Sequence, residues 1–139
     1  MRKIPQVMII DDYPLFCRFW QKFLKGRYGD RIQVSVSTSS QEALKKISRD
    51  VSLILLDWHM PELDGKAFLK KATEQGVGPE KMIIFSGSPV ETLHEEFNFG
   101  DCLAVIEKGA KDQEEVLIKI FDDLVESAAP PKSDPLPSP

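Results

Sequence analysis

Residues Val51 to Gly65, VSLILLDWHMPELDG, restrict the possible folds more than any other stretch of the chain. Val51, Leu53, Ile54, Leu55 and Leu56 make an apolar run too short for a helix and without polar alternation. Such a run is predicted to be a parallel strand covered on both faces. It stops at Asp57, so a carboxylate is placed at the carboxyl edge of the sheet, where open α/β folds bind ligands. Pro61 and Asp64-Gly65 then mark a turn into the next helix.

Four other runs behave alike. Gln6 to Ile10 ends in Asp11-Asp12, Ile32 to Val36 alternates as an outer strand would, Lys81 to Phe85 ends in Ser86-Gly87, and Cys102 to Ile106 ends at Glu107-Lys108. Helical patterns separate them. Leu15, Phe16, Phe19, Trp20, Phe23 and Leu24 form a stripe with Pro14 in the first turn and Gly26 and Gly29 closing it. Ser39 and Glu42 have capping-box spacing before Ala43, Leu44 and Ile47. Ala67 to Ala72, Pro89 to Phe97, and Val116 to Val125 give three more helices. Strand–helix repetition with short loops predicts an α/β fold: a flavodoxin-like, doubly wound, five-stranded parallel sheet with five helices, (βα)5.

A chain of 139 residues suits one domain with a substantial core, taken as residues 1–127. The remainder, 128–139, is half proline over its last ten positions and has no periodicity, so a disordered tail is expected. A net charge of −4 without a Lys/Arg run argues against direct nucleic-acid binding. No leader or apolar span of about 20 residues is visible, which predicts a cytoplasmic protein without membrane attachment. Cys17 and Cys102 have no metal-ligand spacing and are expected to be reduced and buried.

In a parallel sheet Asp11, Asp12, Asp57, Ser86 and Lys108 all fall at one edge. Three adjacent carboxylates repel one another unless a cation joins them. An all-oxygen set with open positions suits Mg²⁺, leaving Asp57 as a nucleophile able to form an acyl phosphate. Lys108 would offset charge on the phosphoryl oxygens, and Ser86 could donate to the group once transferred. Trp58 is expected to be exposed beside the site, Phe97 to lie in the core and Phe99 at the surface. The acids from Asp112 to Glu115 read as a helix start favoured by the dipole.

With these residues in place, the chain resembles the receiver domain of two-component response regulators over residues ~5–127. Asp11-Asp12 match the acidic pair, Asp57 in DWHMPELDG the phospho-accepting aspartate with its MPxxDG sequel, Ser86 in FSGS the switch hydroxyl, and Lys108 the lysine. The resemblance implies phosphoryl transfer to Asp57 from a histidine kinase or histidine phosphotransfer protein. It further implies Mg²⁺ (with Mn²⁺ as a substitute) on Asp11, Asp12, Asp57 and the backbone carbonyl of His59, and slow autodephosphorylation with no separate substrate. Catalytic roles would fall to Asp57, Lys108 and Ser86. The output would be a downstream protein target or a homodimer. Two positions depart from the pattern. Val105 stands where an aromatic switch residue is usual beside Ser86, and Gly109 stands where proline often follows the lysine.

Other functions fit less well. A flavin carrier needs backbone donors after the first strand, whereas Asp11-Asp12-Tyr13-Pro14 repels an anion. An Mg²⁺-dependent aspartyl phosphatase would want an acid where His59 stands, and a substrate cap. A non-catalytic, receiver-shaped interaction module would not need all the acids and the lysine.

Overall fold

The computed structural model describes residues 3–128. Of the expected tail, 128–139, Ala128 is helical and the rest lies outside the described residues. Strands β1 (Gln6–Ile10), β2 (Gln33–Ser37), β3 (Leu53–Leu56), β4 (Met82–Ser86) and β5 (Ala104–Glu107) alternate with helices α1 (Pro14–Tyr28), α2 (Ser40–Lys46), α3 (Gly65–Glu74), α4 (Val90–Glu96) and α5 (Lys111–Ala128). All pairings are parallel. The order β2-β1-β3-β4-β5 is that of the flavodoxin-like sheet, as expected.

The alternation of side chains along each strand explains why the central runs are apolar throughout. Val7, Ile9, Leu53, Leu55, Ile83 and Phe85 face one way, against Trp20 and Leu24 of α1 and Leu117 and Phe121 of α5. Met8, Ile10, Ile54, Leu56, Met82 and Ile84 face the other way, against Ala43, Phe68 and Leu93 of α2, α3 and α4. Each strand residue is therefore committed to one of two cores. A fully buried aromatic such as Phe68 contributes about 3–5 kcal/mol by the cost of truncating it to alanine.

Local chemistry sets the helix starts. Pro14 opens α1, and Asp64 caps α3 by accepting the Ala67 N–H at 2.9 Å. Ser39 caps α2 by accepting from Glu42 N at 3.1 Å. The capping box is only half made, since Glu42 turns to Lys45 and the Ser39 N–H goes to Ser37 Oγ.

The structure corrects several expectations. The buried face of α1 is rotated from its pattern: Cys17, Trp20, Leu24 and Tyr28 are buried, Phe16 and Phe23 pack partly against the same core, and Leu15 and Phe19 are exposed. Gly26 lies inside α1, and Gly29, at φ +58°, follows its last residue. In β2, an edge strand as expected, Val36 is exposed rather than covered. Cys17 is buried, but Cys102 is only half-buried because β5 is the opposite edge; both are free thiols. Phe97 is buried and Phe99 fully exposed, as expected. Among the described residues no helix is long and apolar enough to cross a membrane.

Candidate functional site

The register delivers the site. Ile10 pairs with Leu56 and Leu56 with Ile84, so Asp11 and Asp57 lie one step past the paired ends of β1 and β3. The ladder is prolonged into these residues, since Asp57 N–H donates to Ile10 O at 2.9 Å and Asp11 N–H to Ser37 O at 3.1 Å. Ser86 pairs with Glu107, and Lys108 N–H donates to Ser86 O at 2.7 Å. Five predicted site residues therefore meet at one edge because four ladders end there together.

One carboxylate oxygen from each of Asp11, Asp12 and Asp57 can be chosen so that all lie within 4.8 Å of one another. Asp11 and Asp57 are buried and Asp12 is exposed. Lys108 reaches from the end of β5 past the ends of β4 and β3, donating to Asp11 Oδ2 at 2.6 Å and standing 3.7 Å from Asp57 Oδ1. Asp11 is held on three sides: its other oxygen accepts the Tyr13 N–H at 3.0 Å, and its carbonyl faces Cys17 Sγ at 3.3 Å. One lysine facing three acids leaves surplus negative charge, and a hard cation satisfies an all-oxygen set of this kind.

Asp57 is held above the ordinary carboxylate range. Burial is the main cause; Asp11 and Asp12 push the same way, and Lys108 and the His59 backbone oppose them. Burial likewise pushes the Cys17 thiol to about 11, so beside Asp11 it serves as a neutral packing group.

The loop after Asp57 folds back on the site. Gly65 N–H donates to Trp58 O at 2.7 Å, and a Cβ on Gly65 would come within 3.1 Å of the Trp58 Cα and 3.3 Å of the Asp57 carbonyl oxygen. The Asp-Gly pair is thus more than a turn signal, because its glycine admits the backbone that carries Asp57. Trp58 is half-buried rather than exposed, stacked on the exposed His59 at 4.3 Å and edge-on to Phe97 at 5.3 Å. The Phe97 ring provides an apolar wall that the linear pattern after Asp57 could not show.

Ser86 is buried, its Oγ accepting from Ser88 N–H at 3.2 Å. Val105, paired with Ile84, is half-buried and packs with the second core. The peptide bond between Lys108 and Gly109 is trans, and Gly109 sits at φ +82°, which suits glycine.

Three neighbours of the site escaped the sequence reading. Glu107 accepts the Val90 N–H at 2.9 Å, tying the end of β5 to the start of α4. Glu114 accepts the Gly109 N–H at 2.9 Å. The Phe16 ring lies beneath the Lys108 ammonium, 4.2 Å from the nitrogen, and meets Phe85 edge-on at 5.2 Å. Phe16 was legible only as one member of an apolar stripe, and nothing in a linear pattern pairs it with a lysine ninety-two residues later.

Comparison with known proteins fits this geometry. The probable C4-dicarboxylate response regulator DctR of Halalkalibacterium halodurans is 25% identical over 95 residues, 68% of this chain and 41% of that protein. The chain thus spans less than half the length of this curated relative. The CheY-like receiver domain protein from Methanospirillum hungatei superposes with a TM-score of 0.68 at 25% identity, over 89% of this chain and 96% of that one. The response regulator TrrA of Thermotoga maritima, solved in complex with Mg²⁺-BeF, gives 0.69 at 18% identity, over 86% and 98%. The family model of the response regulator receiver domain matches residues 7–120, most of the chain, and the protein belongs to that family.

Proposed function

We propose that the chain is a phosphoacceptor receiver in a two-component phosphorelay, working in the cytoplasm, with Asp57 as the residue phosphorylated. The observation that carries the reading is the convergence of Asp57, two further acids and one lysine at a single sheet edge. A carboxylate oxygen of Asp57 attacks the phosphorus of a phosphohistidine on a histidine kinase or phosphotransfer protein. The phosphorus–nitrogen bond breaks, and its electron pair stays on the imidazole. The Asp57 carboxylate becomes an acyl phosphate, a covalent use of aspartate with precedent.

Asp11, Asp12, Asp57 and the His59 carbonyl would hold Mg²⁺, in keeping with their oxygen-only chemistry. When bound, the ion supplies positive charge that offsets the phosphoryl oxygens. Lys108 stabilises charge on the oxygen nearest β5.

Ser86 Oγ would donate its O–H to the phosphoryl group while still accepting from Ser88 N–H, drawing the loop to Pro89 with it. Val105 has a stiff χ1 and short reach, so the movement centres on that loop and not on position 105. Downstream, a protein target or a second copy of the chain would read it.

The test is acid-labile phosphate after incubation with acetyl phosphate and Mg²⁺. Stoichiometric label on the wild type is expected, with none on Asp57→Asn; label persisting in the variant would sink the assignment. Trp58 emission should shift in saturable steps, first with Mg²⁺ and then with beryllofluoride. Trp20, buried in the first core, supplies a constant background. Amide exchange with beryllofluoride should change at Ser86–Pro89, and protection changes confined to Val105 would reject the proposed route.

A further inference from the structure

We propose that Phe16 is a positioning residue for the reaction, its ring face holding the Lys108 ammonium beside Asp57. The inference rests on the phosphoacceptor reading given above.

Lysine carries a compact, strongly hydrated charge on a flexible four-carbon stem, so its position must be fixed by whatever it touches. Three groups surround the Lys108 ammonium: Asp11 at 2.6 Å, Asp57 at 3.7 Å and the centroid of the Phe16 ring at 4.2 Å. The two carboxylates are also members of the acidic cluster, so a divalent cation draws on the same oxygens that now hold the lysine. The ring does not compete. Its negative face attracts a cation without neutralising it and takes up neither a metal nor a phosphoryl oxygen. With Asp11 engaged by a bound cation, Phe16 would remain as the partner that keeps the ammonium aimed at Asp57.

The ring is itself fixed. Pro14 sets the start of α1, Phe16 N–H donates to Tyr13 O at 3.1 Å, and the ring meets Phe85 edge-on at 5.2 Å. Phe85 directly precedes Ser86, so a single aromatic contact links the strand of the switch hydroxyl to the lysine. Leucine or methionine would fill this half-buried space nearly as well, but neither presents a π face. The chemistry of the ring, and not its volume, distinguishes positioning from packing.

The experiment uses the full chain with phenylalanine, 4-fluoro-, 3,5-difluoro- or 3,4,5-trifluorophenylalanine at position 16. Fluorination weakens the ring's negative face while nearly preserving its shape. The rate constant for acid-labile phosphate formation from acetyl phosphate, at saturating Mg²⁺, should fall stepwise. For the trifluoro ring and for Phe16→Leu the loss should reach about tenfold, equivalent to about 1.4 kcal/mol, with the KM for acetyl phosphate little changed. In a Lys108→Ala background, Phe16→Leu should change the rate less than about twofold, because contacting residues are not additive. The Lys108 ε-methylene protons should resonate upfield in the wild type through the ring current and return to ordinary positions in Phe16→Leu. A flat response to fluorination, or an equal loss from Phe16→Leu in both backgrounds, would leave Phe16 as packing and overturn the proposal. A wild type that takes up no phosphate would instead overturn the phosphoacceptor reading, and the role of Phe16 with it.

Discussion

Just before α1, Asp11 and Asp12 crowd against Asp57, and among the described residues Lys108 is the one cation paired with them. At the far end of the same helix, Arg27 clamps Asp122 of α5 with two bonds of 3.0 Å, and the Tyr28 hydroxyl donates to the same carboxylate. The two aspartates respond in opposite directions. Burial and like charges hold Asp57 above the ordinary range, whereas the bonds from Arg27 and Tyr28 hold Asp122 below it. Charge arranged for folding is paired in place, with each partner supplied by the chain. The cluster proposed to react is left in surplus, as a site completed by a group from outside the chain would be.

The sharpest way to break this contrast is to neutralise each aspartate in turn. Asp57→Asn should abolish acid-labile phosphate entirely, and Asp122→Asn should leave it within about twofold of wild type, since a surface change away from the site perturbs little. Loss of labelling in both would mean that the paired end also serves the reaction.

Metal affinity should come next in size. Asp12→Ala removes an anionic oxygen from the surplus cluster and should weaken Mg²⁺ binding, followed through Trp58 emission, by about the 10–100-fold typical of damaged metal sites. Lys108→Ala should leave binding equal or tighter, because it removes a competing cation. Weaker Mg²⁺ binding without the lysine would show that the cluster is not in surplus.

Stability against pH should separate the two ends by sign. A carboxyl whose folded pKa is raised holds its proton more tightly folded than unfolded. The Asp57 contribution therefore falls as pH climbs from the ordinary value of 3.8 through the raised one. Metal-free Asp57→Asn should then melt higher than wild type at pH 7, and the gain should fade towards acid. For Asp122, lowered from the same 3.8, stability is present above that value and lost as pH falls through the lower folded one. Asp122→Asn should therefore melt lower at pH 7, with the deficit fading towards acid. Both partners are partly exposed, so this smallest effect should amount to about 0.5 kcal/mol. Thermal melts from pH 3 to pH 7 without metal check both, and curves of the same sign would remove the distinction.

Much of this was legible in the linear chain, for a physical reason. A strand covered on both faces must be apolar along its whole length, so Leu53 to Leu56 and Met82 to Phe85 announce themselves, and the residues that end them are marked by contrast. Parallel strands bring like ends together, which placed Asp11, Asp57, Ser86 and Lys108 at one edge before any distance was known. What stayed illegible depends on where helices settle. The α1 stripe offers six apolar residues, and packing alone selects Trp20 and Leu24 for the core, Leu15 and Phe19 for the surface, and Phe16 for the Lys108 ammonium. Trp58 is half-buried because Phe97, thirty-nine positions on, returns to meet it. Gly65 is required by the approach of the Asp57 backbone as well as by the turn.

By itself, then, the sequence determined the strand ends and the residue types gathered there, because hydrophobic burial and chain direction act through short periods along the chain. Which of Asp11, Asp12 and Asp57 is buried, which oxygen Lys108 takes and which ring lies beneath it were decided only by tertiary packing. These depend on contacts between elements tens of residues apart, where distance and desolvation, rather than composition, set the strength of each charge.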